Sequence, residues 1–390
     1  VTPAFAGGGP DDEDHAGPDG APDGGPEALA EAAARLRQAG DLPGAVALLL
    51  AGGDDLATGH QRLRYLFELQ DHAGLQAATS SGLRNLGPQA GSARPYLMAL
   101  LHFAELCCLP PPEIEAALAA THTAAQRDAG IGEVWQAVRS RQQFRARLQA
   151  DYEGGASIIS LGLNCVPWHL PGRWGFRRME DFSALFGPFA LAGHTIPGVL
   201  ATLENDFRGY CDPASTRIIR TQRGKELAVR KDRTAHWNHN RGPYWLRDDA
   251  APMRDSLAAK AALFREACRR PDAVFMLATC PVQYPEEALE FLPRLQAVLP
   301  RFTGRRNNRI FLSNQTARQR APGLHVVDRN TRFAYCPHPS AEYVWHDDAH
   351  ADTQEGRAFE RRFAGLLLRA LLQWQLLRPR ASGNAQDPAV

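Results

Sequence analysis

One change of pattern, at Gly154-Gly155, constrains this 390-residue chain more than any other feature. Upstream of it, apolar residues recur at the three- and four-residue spacing of helices. Downstream, short apolar runs suited to buried strands alternate with helical segments. Strands separated by helices pair in parallel and bury both faces of their sheet under those helices. The expected fold class is therefore α/β: a mostly parallel sheet with flanking helices in Rossmann-like layering, preceded by an all-α, TPR-like helical domain.

Composition sets the boundaries. Residues 1–25 are Gly, Pro or Asp at most positions and include no Lys or Arg. They cannot bury enough apolar surface to offset chain entropy, and read as a disordered acidic tail. Residues 26–150 form the helical domain. Pro26-Glu27-Ala28-Leu29 opens it with proline and acid in a first helical turn. The string from Leu36 to Ala45 has the small residues, Gly and Asp of a tetratricopeptide-type hairpin turn. Further helices are expected at about 58–70, 72–85, 93–107, 111–127 and 131–149. Residues 155–378 form the α/β domain, and 379–390 a flexible tail. Within that domain the patterns predict strands at Ser157–Leu161, Ala273–Ala278 and Arg309–Leu312, with a fifth apolar run at Leu324–Asp328. They predict a hairpin of Arg217–Arg220 with Leu227–Val229 across Gln222-Arg223-Gly224. Helices are expected at Ile196–Phe207, Pro252–Arg269, Pro285–Leu299 and Gln354–Leu377.

Charge and cysteine usage narrow the function classes. Lys and Arg number 44 against 43 Asp and Glu, so nothing calls for a nucleic-acid or membrane-surface partner. No apolar run approaches a membrane span, and no basic stretch followed by an apolar core predicts a secretory leader. The seven cysteines are scattered without a CxxC pair, which suits a reducing cytoplasm better than a zinc ribbon or disulfide scaffold. GxxxxGK[ST], GxGxxG after a strand and HExxH are all missing, so no cofactor is expected.

The chemistry-bearing stretch is Ser157-Ile158-Ile159-Ser160-Leu161-Gly162-Leu163-Asn164-Cys165. It reads as a buried strand that stops at Gly162 and presents a thiol at its carboxyl end, where ligands of open α/β sheets sit. A helix or turn beginning there offers backbone N–H groups that favour a thiolate, so Cys165 is the candidate nucleophile. A cysteine nucleophile needs a base. Two histidine clusters compete. In Ala235-His236-Trp237-Asn238-His239-Asn240-Arg241, between predicted elements, His239 or His236 could serve. In Trp345-His346-Asp347-Asp348-Ala349-His350-Ala351-Asp352, Asp347 and His350 are spaced to form an orienter and base. That second cluster could alternatively hold a divalent metal or cap the closing helix. Thr279 and Cys280 end another strand and are expected to line the same crevice. Cys107-Cys108 reads as core within an apolar helix.

Ile159 to Cys165, Phe186-Gly187-Pro188-Phe189 and Leu203-Glu204-Asn205-Asp206-Phe207 together resemble the bacterial DUF1796 family, described as papain-like cysteine peptidases. Trp237-Asn238-His239 and Val274-Phe275-Met276 are similar to its later blocks. The resemblance spans roughly residues 156–280 and implies Cys165 as the thiol with His239, or His236, as its partner. The order of elements is also similar to that of SGNH-type esterases, which would make His350 the base and Asp347 its orienter. Amides near Cys165 and the Asn164 side chain would then form an oxyanion hole. Gly162, Asn164, His236 and Thr279 are the candidate substrate contacts. The expected activity is thiol-dependent hydrolysis or acyl transfer on a peptide or a glycan-linked acyl group. A protein partner would dock on the helical domain. The alternative is a non-catalytic module that binds a carbohydrate or nucleotide-sugar in surface polysaccharide biosynthesis.

Overall fold

The computed structural model describes residues 25–53, 56–86, 94–210, 212–221, 224, 226–279, 290–315, 321–345 and 348–380. The amino-terminal part is helical: α1 (Pro26–Gln38), α2 (Leu42–Ala51), α3 (Leu56–Leu69), α4 (His72–Arg84), α5 (Arg94–Leu106), α6 (Pro111–Arg127) and α7 (Ala129–Asp151). Three of its turns use the same device, a left-handed residue just past a helix end: Gly40, Gln70 and Cys108. In the first two turns the next residue, Asp41 or Asp71, accepts a hydrogen bond from the amide of Gly44 or Gly74 and starts the following helix. Cys107 and Cys108 lie just beyond α5 rather than inside it, and both are buried.

Two short strands, β1 (Tyr152–Gly154) and β2 (Ser157–Ser160), follow α7. Next come α8 (Val166–Arg173), α9 (Asp181–Ala184), β3 (Gly193–His194) and α10 (Ile196–Glu204). Then β4 (Thr216–Arg220), β5 (Glu226–Arg230), β6 (Ala235–Arg241), the helical segment α11 (Pro243–Cys268) and β7 (Ala273–Thr279) complete the middle of the chain. The last strands are β8 (Arg309–Asn314), β9 (Gly323–Val326), β10 (Thr331–Tyr335) and β11 (Leu377–Pro379).

The central sheet has the order β2-β7-β8-β10-β9; the first four strands are parallel and β9 pairs antiparallel with β10. It is buried on both sides. Ile159, Phe275, Leu277, Ile310, Leu312 and Phe333 face a core shared with α10, α11 and the helical domain. Ile158, Val274, Met276, Phe311 and Ala334 face Phe359, Phe363, Leu367 and Leu371 of the closing helix, Gln354–Gln373. Each such large side chain contributes roughly 1.5–3 kcal/mol on burial. Among the described residues no helix is long and apolar enough to cross a membrane.

A second, four-stranded sheet, β3-β6-β5-β4, is antiparallel. It contains the expected hairpin β4–β5 and one element the sequence pattern left between elements. The stretch around Trp237 is strand β6, with Trp237 fully buried and the histidines on either side of it. Other expectations shift at their ends. The helix begun at Ile196 stops at Glu204 because Asp206 and Phe207 adopt left-handed backbone. The helix expected from Pro252 is preceded by a short turn from Pro243, broken at Arg247–Ala250. Thr331–Tyr335 is a central strand, and the run at Leu324 is its antiparallel edge neighbour. Pro379 is not in a tail: β11 pairs with β1, and Arg380 N–H donates to Asp151 O. The first part of the helix predicted at Pro285–Leu299 lies outside the described residues, and Leu292–Val298 is helical.

A buried charge cluster joins the two parts of the molecule. Arg141 of α7 bonds Glu105 of α5 (2.8 Å), Asp352 (2.8 Å) and Glu360 of the closing helix (2.9 Å). Glu360 also accepts from Arg173 (3.1 Å) and from the indole N–H groups of Trp174 and Trp345. Arg141→Met would strand three buried carboxylates, and breaking a buried pair in this way costs about 3–5 kcal/mol. The urea midpoint of this variant is expected to fall accordingly; an unchanged midpoint would contradict the assignment.

Candidate active site

The thiol sits on a sharp turn between β2 and α8. Gly162 and Leu163 both have positive φ, +81° and +72°, so the chain reverses within two residues. At Gly162 the left-handed backbone and the close approach of neighbours exclude a side chain: an added Cβ would lie 3.2 Å from His194 Nδ1 and 3.4 Å from Phe189 Cβ. Leu163 carries real strain, because only glycine adopts this region freely. Hydrogen bonds hold the turn. Gly162 N–H donates to Ser160 Oγ, and Ser160 Oγ–H donates to Phe189 O.

Cys165 caps α8 and is half-buried, packed against both hydrophobic cores of the α/β region. Its Sγ lies 3.4 Å from Nε2 of His239, on β6. The central sheet thus supplies the thiol and the antiparallel sheet the imidazole. The helical domain supplies a wall: the Phe67 ring meets the His239 ring edge-on at 6.2 Å. The same domain is fixed to the strand's continuation, since Trp245 Nε1–H donates to Glu68 O.

A polar chain behind the site sets the position of β6. The Tyr210 hydroxyl accepts from Trp237 Nε1–H and lies within hydrogen-bond distance of Pro188 O and of His194 Nε2, the last at 2.7 Å. The other ring nitrogen of His194, Nδ1, is buried and faces Gly162. Burial lowers the His194 pKa to about 3. His169, one turn after Cys165 on α8, is also buried; burial, then Arg173 and His239, hold it well below the usual histidine range.

The other expected site residues fall elsewhere. His350 Nδ1 accepts from Val344 N–H and its ring stacks on Tyr343; it makes no hydrogen bond to Cys165. Asp352, at the end of the same stretch, bonds Arg141. Asp347, His346 and Cys280 lie outside the described residues, as does the side chain of Thr279, whose backbone ends β7. Among the described residues no group of three or more His, Cys, Asp or Glu could hold a metal. His236 does not reach Cys165; it packs across Gly193 and lines a separate cavity. The amide nest expected at α8 is filled from within. Asn164 Oδ1 accepts from Val166 N–H, Pro167 has no N–H, and the amides of Trp168 and His169 donate to Cys165 O.

Neither a protein-family model, nor a curated protein, nor a solved structure matches the chain. Phe67 and His169 were not singled out by the sequence. Phe67 reads only as one apolar position of a helix, and His169 only as the residue four after the thiol.

Two outcomes test this construction. Gly162→Ala, with left-handed backbone and a contact at 3.2 Å, should lower stability by about 1–3 kcal/mol in urea titration. The second concerns pH. Burial holds His72, His102 and His194 at about 3 and His169 well below 6.5. The unfolded chain takes up these protons near pH 6.5 and the folded chain does not, so stability is full above that pH and declines as pH falls toward 3. The pH dependence of the urea midpoint should show an uptake approaching about four protons on unfolding near pH 4–5. A flat profile there would refute the buried neutral histidines.

Proposed function

We propose that this protein is a thiol-dependent hydrolase or acyltransferase with Cys165 as nucleophile and His239 as its base. The supporting observation is the 3.4 Å approach of Sγ to Nε2, with the sulfur at the amino end of an eight-residue helix. Both the helix dipole and an imidazole at this distance favour the thiolate. Cys165 with His239 as its partner is also the pairing that the resemblance to papain-like cysteine peptidases implies. In the same reading the helical domain is a TPR-like hairpin array, and the layering of the α/β domain is Rossmann-like.

In this scheme the thiolate attacks the acyl carbonyl carbon, forming the S–C bond. The imidazolium of His239 gives its proton to the leaving oxygen or nitrogen as that bond breaks. Water or an acceptor hydroxyl, deprotonated by His239, then takes the acyl group and releases the thiolate. Asn164 is suited to steady the oxyanion. Its side chain stands beside the thiol, with Oδ1 accepting from Val166 N–H. The substrate class is a peptide or a glycan-linked acyl group, and the compartment the cytoplasm.

Iodoacetamide labelling with peptide mapping tests the dyad. Burial raises the pKa values of Cys107, Cys108, Cys268 and Cys336, so burial alone makes them slow. The informative comparison is therefore Cys165 with itself. Near pH 6.5, His239→Ala should slow its alkylation by about tenfold, while His350→Ala leaves it unchanged. Equal rates in wild type and His239→Ala from pH 5 to pH 8 would sink the reading.

A further inference from the structure

The antiparallel sheet holds a second feature that the thiol chemistry does not use. A cavity of about 760 Å³ opens on β4, β5 and β6. Its floor is apolar: Ile219, Leu227, Val229 and Ala235. Its walls carry Arg217, Arg233 and Arg241, together with Thr221, His236 and Asn238. Among the described residues, neither Cys165 nor His239 lines it, and no Asp or Glu does.

The three guanidinium groups have no ion pair and no side-chain hydrogen bond among the described residues. They differ in this from arginines committed to a carboxylate, such as Arg265 with Asp206 and Arg294 with Glu204. The carboxylate closest in sequence, Asp232, is already committed. Burial works against its charge, but hydrogen bonds from Thr234 and pairing with Arg230 hold its pKa down to about 2. Arg233, the residue between Asp232 and Thr234, has left-handed backbone at φ +61°. The turn thus neutralises its own acid and leaves Arg233 for the cavity. One wall group also lacks a partner: Asn238 Oδ1 is buried with no hydrogen bond.

A volume of this size suits a small organic ligand rather than a single ion. Unpaired guanidinium groups are the chemistry of phosphate recognition, since each can present two parallel N–H donors to one phosphate. The apolar floor needs an uncharged body, and Asn238 needs a hydrogen-bond donor such as a hydroxyl. We propose that this cleft binds an organic diphosphate, with the phosphates on Arg217, Arg233 and Arg241 and the organic body on the apolar floor. This site is independent of the reading of Cys165.

Calorimetric titration with inorganic pyrophosphate and with ADP, at fixed ionic strength, tests the assignment. Pyrophosphate probes the arginines alone; ADP adds an organic body with hydroxyl donors. ADP should bind at least about tenfold tighter than pyrophosphate. The exposed, unpaired arginines can be replaced without unfolding the chain, so Arg217→Gln/Arg241→Gln should keep the wild-type melting temperature. That variant should weaken ADP binding by about thirtyfold or more. Cys165→Ala should bind ADP as wild type does, which separates this site from the thiol chemistry. Three results would overturn the proposal: no heat of binding for ADP, equal affinity in wild type and the double variant, or pyrophosphate binding as tightly as ADP.

Discussion

Arg141 is the group on which the assembly of this molecule depends. It is fully buried, and its three carboxylate partners come from α5, from Asp352 two residues before the closing helix and from that helix itself. A charge in that position is tolerable only when every hydrogen-bonding edge is used, because removing an ion from water costs several kcal/mol before any pairing returns it. The cluster holds two guanidiniums, Arg141 and Arg173, against Glu105, Asp352 and Glu360. Burial pushes the Glu105 carboxyl upward despite Arg141 beside it, and Glu105 Oε1 has no partner. Arg173 and Trp174, which end the thiol-bearing helix, bond the same Glu360. The cluster therefore ties the far end of α8 to both the helical domain and the closing helix.

The near end of α8 is fixed by different means. Gly162 and Leu163 are held in left-handed backbone, and Ser160 ties their turn to Phe189 O. The loop that carries Phe189 is bound in turn at Pro188 O by Tyr210, which also bonds Trp237 and His194. Hydrogen bonds, joined through the Pro188–Phe189 backbone, thus lead from the thiol turn to the strand of His239. With a helix pinned at both ends and a strand pinned from behind, the 3.4 Å separation of sulfur and imidazole is a product of packing on several sides. Pro171 is tolerated in so short a helix because Arg173 and Trp174 anchor the turn that follows it.

Much of this was legible in the sequence, and the failures have physical causes. The helices around α3 to α7 and the strands at Ile158, Val274 and Ile310 follow from hydrophobic period, which burial enforces. Cys165 was legible as the candidate thiol, but the residues alone left two histidine clusters open as its partner; the structure puts His239, 74 residues away, beside the sulfur. An Asp-x-x-His spacing describes one turn only and says nothing of distance to Cys165, whereas Asp352, two residues after His350, bonds Arg141 from 211 residues away. β6 was hidden because five of its seven residues are His, Asn or Arg, with Trp237 the one large apolar side chain. Strand periodicity fails where a strand spends its polar residues on two working surfaces. Phe67 was invisible for the opposite reason: an apolar residue on a helix carries no mark of which domain it faces.

The alternation of β6 explains why those surfaces can share one strand. Side chains on successive residues leave opposite faces, so His239 turns to the thiol while Asn238 beside it lines the arginine cleft. Trp237 is the fulcrum, fully buried and held through its indole N–H by Tyr210. The pairing with β5 shifts register between Leu227 and Val229, so β6 carries extra residues there. Such a bulge re-aims side chains that strict pairing would fix. It falls between His236 and Arg241, the stretch that presents His239 to one side and Arg241 to the other. A regular strand would place residue 241 on the face of 239, away from residues 236 and 238. The irregularity is thus what lets Arg241 join the cleft without withdrawing His239 from Cys165.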